Sequence, residues 1–281
     1  MSFNNPDKES YGSSKLYTRN YKWSGGLGKP VDPNNEAAGI VPYAAITWRE
    51  GSGEDVQKGE VQPGMKIAVI GVTFSANKYV GADTPGNWAN YQTNETTEWD
   101  QTLHLTKWTS QGGTHEASGS FNELKAKVPG LKAQYHVYFY DFELERIDRI
   151  TFSGSSYGVW KDYNTSVKEK KYTAPTIIEQ GEYKKWNVGK AFLPKFSLDT
   201  PYTPEQRAIL EKVAVAMDEY EEQLAKIALE GYGNDGKDYD SAGDQTPAVY
   251  DGEASQELPD ASTAPALAPA PNTTDLGDVP F

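Results

Sequence analysis

Between Lys15 and Trp23 the chain reads Lys-Leu-Tyr-Thr-Arg-Asn-Tyr-Lys-Trp. If that stretch is extended, its period of two sets Lys15, Tyr17, Arg19, Tyr21 and Trp23 on one face. Rings interleaved with cations can stack on flat groups while neutralising anions, a combination suited to bases and phosphates. An edge strand whose aromatics pack on the body would show the same alternation. All seven Trp lie within the first 203 residues. Trp88 and Tyr91 fall in the polar stretch Pro85-Gly86-Asn87-Trp88-Ala89-Asn90-Tyr91-Gln92, close to Lys78 and Tyr79, where core packing gives rings little reason to be. Tyr43, Arg49, Lys66, Lys107, Trp108, Tyr138 and Tyr140 complete the set from strand-like segments. Each serves equally well in packing when taken singly, so the expectation concerns the group.

Other chemistries fit the residues less well. His104, His115 and His136 lack metal-motif spacing, and no metal or cofactor is expected. Ser24-Gly25-Gly26-Leu27-Gly28-Lys29-Pro30 resembles a phosphate loop only in part, because Trp23 takes the place of its first Gly and Pro30 that of its Ser/Thr. Asp141, Glu143 and Glu145 would share one face of an extended strand, where paired carboxylates can hold magnesium or exchange protons. Arg146 and Arg149 stand ready to neutralise them. Glu123-Leu124-Lys125 is half of a nuclease signature. The absence of Cys removes thiolate catalysis, disulfides and Cys-ligated zinc. These readings predict a protein that is not an enzyme.

The elements that must carry the aromatic set read as mainly β. Strands are predicted over 39–49, 65–72, 99–109, 134–142, 149–152 and 190–198, from alternating or near-continuous apolar runs. Turn-rich stretches separate them at 75–98 and 110–120. Short helices are predicted at 121–128, stopped by Pro129-Gly130, and at 155–163. Five or six strands with a helix between the later ones suit an OB-like β-barrel with elaborated loops, and a sandwich stays open. A long helix is predicted over 204–230, with Thr203 as cap, Pro204 first and Gln206 completing a capping box. Ile209, Val213, Ala216, Tyr220, Leu224 and Ile227 give it one apolar stripe. It could clamp the barrel or form a homodimer with a second copy; clamping is the safer expectation. The division is a flexible N-terminal arm (1–37), an OB-like domain (38–202), the long helix (203–230) and a disordered acidic tail (231–281).

Charge follows the same division. Residues 1–203 are neutral overall, 204–230 carry a net of -4 and 231–281 a net of -9, within a total of -13. A neutral body can still present a basic groove. The last segment is polar and rich in Pro, Ala and Gly, so it buries too little apolar surface to offset its backbone entropy and should stay disordered. Yet it closes on Asp275-Leu276-Gly277-Asp278-Val279-Pro280-Phe281. A ring behind a proline and carboxylates suits docking into a pocket with a basic rim.

That pattern resembles the acidic tip of single-stranded DNA-binding proteins, which in bacteria ends Asp-Ile-Pro-Phe and recruits replication and repair enzymes. Here Asp278, Val279, Pro280 and Phe281 stand in those positions, with Asp275 upstream; Gly277 interrupts the acidic run. The resemblance implies sequence-independent binding of single-stranded DNA in replication, recombination and repair, with partner proteins held by the tip. A carbohydrate-binding β-module and a phage virion or scaffold protein are the alternatives. The N-terminus lacks the character of a signal peptide and no apolar run approaches a membrane span, so a soluble, cytoplasmic protein of a bacterium or phage-infected host is expected, with no membrane partner.

Overall fold

In the computed structural model, residues 16–31, 39–51, 56–81, 88–186 and 189–230 are described. The chain order is β1 (Arg19–Pro30), β2 (Ile40–Glu50), β3 (Gln57–Val61), β4 (Met65–Val80), β5 (Ala89–Thr93), β6 (Leu103–Thr109), β7 (Gly112–Gly119), α1 (Phe121–Lys127), β8 (Lys132–Asp141), β9 (Arg146–Ser153), α2 (Ser155–Val167), a 3-10 turn (Lys168–Tyr172), β10 (Thr176–Trp186), β11 (Gly189–Leu198) and α3 (Pro204–Glu230). The fold is mainly β, one large mixed sheet with a C-terminal helix. Its main path runs β3-β2-β1-β9-β8-β4-β5-β6-β7, and β10 branches from β4 to carry β11.

The sheet does not close into the expected barrel. Among the described residues no ladder joins β9 to β11, because β1 lies between them. It runs parallel to β9, with Asn20 opposite Arg149, and reaches β11 through the Trp23 indole, which donates to the Phe192 carbonyl at 2.9 Å. Gly25 is needed at this crossing: a Cβ there would overlap that same carbonyl oxygen. The expectation of a loose arm over 1–37 therefore fails at Arg19–Pro30. Tyr21 and Trp23 explain why, since they bury in the main core beside Ile46, Val137, Phe139, Ile150 and Phe152. Trp160 of α2 stacks on Phe152, with ring centroids 4.9 Å apart, and closes that core.

The long strand β4 serves two cores because it is bulged. Val69 pairs with Phe139 and Gly71 with Tyr138, so Ile70 is an extra residue that reverses the side-chain alternation. Before the bulge, Ile67 and Val69 face the main core. After it, Phe74 and Ala76 join Leu103, Leu105, Ala117, Phe121, Leu124 and Leu131 in a second core beneath α1. The helix α1 is fixed by a full capping box between Ser120 and Glu123.

The helix α3 has the predicted bounds and the predicted cap: Gln206 N donates to Thr203 Oγ1 at 3.3 Å, and Thr203 N to Gln206 Oε1 at 3.1 Å. Its buried stripe is rotated from the expected one. Leu210, Val213, Met217 and Leu224 are buried while Ile209 is exposed, because the longer Leu and Met side chains reach the sheet. Leu210 and Val213 pack on Ala68, Tyr140 and Tyr202, and Met217 covers Gly71. The stripe that could have paired with a second copy is thus used within the chain. No described helix is long and apolar enough to cross a membrane.

Candidate nucleic-acid interface

Three of the expected site residues meet in one cross-strand row. Lys78 on β4 pairs with Tyr91 on β5, and Tyr91 pairs with Lys107 on β6. The two ammonium groups lie 6.0 and 5.8 Å from the Tyr91 ring centre. Neither lysine forms an ion pair among the described residues. A half-buried ring between two unneutralised cations offers a stacking surface with phosphate partners on both sides. The row exists because β5 is a strand inside the stretch expected to be turn-rich, which places Tyr91 on the sheet.

A second site was not expected from the sequence. The β10–β11 hairpin carries Tyr183, Lys184, Lys185 and Trp186 on one strand and Lys190 and Phe192 on the other. Tyr183 is 42% exposed, and its ring centre lies 4.6 Å from that of Phe192. Lys185 sits directly opposite Lys190. Like charges in that relation repel, and an anion laid between them would remove the cost. Among the described residues only Lys184 is paired, with Glu182 at 3.5 Å. The signal was present in Tyr183-Lys184-Lys185-Trp186, an aromatic–cation run like that at the N-terminus.

The remaining expected residues are dispersed. Tyr21, Trp23, Trp108, Tyr138 and Tyr140 are buried, so they are packing residues rather than contacts for a strand. The expected face holds from Arg19 to Trp23, where Tyr21 and Trp23 point into the core. It does not hold for Tyr17, which precedes β1 and lays its ring on Tyr138 and Arg149 on the other side of the sheet; Lys15 lies outside the described residues. Arg19 binds Glu50, at 2.8 Å, and stacks 3.8 Å from the Trp48 ring. Trp108 lies against Gly113, Tyr138 and Tyr140 lie under α3, and Lys66 is tied to Asp199 at 2.6 Å. Tyr43 donates to Glu60 at 3.3 Å, with Lys29 5.7 Å from its ring. Arg49, Tyr79 and Trp88 are half-buried on β2, at the end of β4 and just before β5. Asp275, Asp278, Val279, Pro280 and Phe281 lie outside the described residues.

Beneath α3 is a dense polar network. Arg149 binds Glu95 at 2.6 Å and stacks on Tyr17, 3.9 Å from the ring centre. Glu95 also accepts from Thr73 at 2.6 Å and from Tyr138 at 2.7 Å, and the Tyr138 and Tyr220 hydroxyls lie 3.2 Å apart. Burial works against the Glu95 charge, but nearby His136 and Arg149 and the two hydroxyl donors hold its carboxyl below the ordinary range. Burial pushes the His136 imidazole down to about 4. The ring lies 2.7 Å from Ser75 Oγ and 3.0 Å from Thr151 Oγ1. Burial, with Glu95 beside it, drives the Tyr138 phenol well above its usual value. These groups lock the sheet to α3.

The carboxylates Asp141, Glu143 and Glu145 do not share a strand face. β8 stops at Asp141, whose Oδ1 accepts from the backbone N–H groups of Glu143 and Leu144 at 2.8 and 3.0 Å, and Glu145 has φ 51°. Asp141 thus nucleates a tight turn. Among the described residues no His, Asp or Glu cluster could hold a metal. No family model, curated protein or solved structure matches the chain.

Proposed function

We propose that the chain binds single-stranded DNA without sequence specificity, through an OB-like body, and recruits replication and repair proteins through its acidic C-terminal segment. The observation that carries the reading is the Lys78–Tyr91–Lys107 row. The strand pairings support the OB-like part. β4 pairs with β8 and β8 with β9, α2 follows, β10 returns to β4, and β11 pairs with β10. That order matches the one expected of a five-stranded OB barrel, with β1 standing where the third and fifth strands would meet. OB domains hold oligonucleotides on the face of strands 2 and 3 and on the loops joining strands 1–2 and 4–5. Here the first of those loops is the β5–β7 insertion carrying Tyr91 and Lys107. The second is the hairpin carrying Tyr183, Lys185 and Lys190.

Tryptophan fluorescence and anisotropy of a labelled oligo-dT, titrated at several salt concentrations, test the reading. Affinity should fall with salt, with a log–log slope near -0.7 for each phosphate contact. A protein that ignores oligo-dT at low salt, or binds it with no salt dependence, would not be a single-strand binder. For the C-terminal segment, Phe281→Ala should abolish capture of partner enzymes while leaving oligo-dT affinity unchanged.

A further inference from the structure

A cavity of about 250 Å³ opens between β4, β8, α2 and the 3-10 turn, away from both surface sites described above. Phe74, Trp99, Tyr135 and Tyr172 wall it with rings, and Trp99 and Tyr172 stay 45% and 37% exposed. Two polar groups in its lining keep hydrogen-bonding capacity open among the described residues. Lys171 is only 6% exposed, yet its ammonium makes one hydrogen bond, to the Lys168 carbonyl at 2.9 Å, and otherwise lies over the Tyr172 ring, 4.2 Å from its centre. Burial lowers its pKa, with Glu169 opposing weakly, and no carboxylate pairs with it among the described residues. The buried Asn164 Oδ1 accepts no hydrogen bond among the described residues. A buried cation and a buried acceptor left open are costly unless a ligand completes them.

The missing partner is therefore flat enough to lie among rings, and it offers an acceptor to Lys171 beside a donor for Asn164. The volume is below the roughly 300–1,000 Å³ of drug-sized sites, so the occupant is small. We propose, building on the single-strand reading, that this cavity takes one nucleobase of a bound strand by its Watson–Crick edge. In thymine that edge sets a carbonyl oxygen beside a ring N–H, and in cytosine it sets ring N3 beside an amino N–H. Either pair matches Lys171 and Asn164 in turn, so the pocket adds affinity without choosing between them.

Anisotropy of labelled oligo-dT with the full chain, measured over a salt series, tests this. Lys171→Met removes the buried charge while keeping the aliphatic stem, so its melting temperature should hold or rise while oligo-dT affinity falls by roughly tenfold, the effect expected of good hydrogen bonds to a base edge. Asn164→Leu should do the same, the salt slope staying as in the wild type, and Trp99→Phe should remove part of the fluorescence quenching by oligo-dT. Wild-type affinity kept in both variants, or a salt slope reduced in Lys171→Met as for a phosphate contact, would overturn the pocket and leave the single-strand reading standing. A wild type that does not bind oligo-dT would overturn the reading and the pocket together. Thymidine monophosphate quenching Trp99 where oligo-dT does not would make the occupant a free nucleotide, against the proposal.

Discussion

Tyrosines on one sheet meet two fates. On β8, Tyr138 and Tyr140 are sealed beneath α3; on β5, Tyr91 stays half-exposed between Lys78 and Lys107. Their strands are neighbours of the same β4. What separates them is how far each is covered: α3 seals the first pair, while Tyr91 sits at the margin of the second core beneath α1 and keeps part of its ring open. The sealed region spends its polar groups on rigidity, and the open one leaves its cations without ion-pair partners among the described residues. Stability and binding should therefore respond to different substitutions.

The largest effect belongs to the sealed side. Glu95→Ala strands the Arg149 charge and should cost about 3–5 kcal/mol, read as a fall in the urea midpoint. Acid should act there too. His136 titrates near 4 in the folded chain against 6.5 when free, so its contribution is complete above pH 6.5 and is lost as pH falls toward 4. The loss is on the order of 3 kcal/mol, and the depressed Glu95 adds to it at still lower pH. Urea midpoints measured from pH 7 to 4 should slope downward in the wild type and flatten in His136→Asn.

On the open side, Tyr91→Leu keeps the apolar bulk and should shift the urea midpoint by no more than about 1 kcal/mol. It should nonetheless weaken oligo-dT binding by ~1–3 kcal/mol. Lys78→Ala and Lys107→Ala should each reduce the salt slope by roughly 0.7. If Tyr91→Leu destabilises as much as Glu95→Ala, the contrast between the two regions is lost. The smallest effect is expected from Thr203→Ala, which removes the α3 cap and should cost about 1 kcal/mol in thermal unfolding, leaving DNA binding intact.

Local signals in the sequence located the elements well. The Thr203–Gln206 box marked the start of α3, Pro129-Gly130 the end of α1, and the aromatic density of 134–142 the strand β8. Polar strands were harder. β5, Ala-Asn-Tyr-Gln-Thr, and β7, Gly-Gly-Thr-His-Glu-Ala-Ser-Gly, lack the apolar alternation that marks a half-buried strand, so they read as turns. A period of two tells which side chains share a face and not what covers that face. Arg19 through Trp23 show this: the face exists, but its inner members Tyr21 and Trp23 are core. The cavity around Lys171 was hidden for another reason. It joins Phe74, Trp99, Tyr135, Asn164 and Lys171 from segments far apart in the chain.

The placement of β1 has a consequence for how the molecule is made. Its neighbour on the parallel side is 129 positions later in the chain, as the Arg19 N–H bonded to Asp148 at 2.9 Å records. A ribosome releases the first strand long before its slot exists, so until β9 and β11 emerge, Tyr21 and Trp23 have no interior to enter. Closing so long a loop slows folding. The newborn chain must keep two bare rings from strangers for the length of that wait.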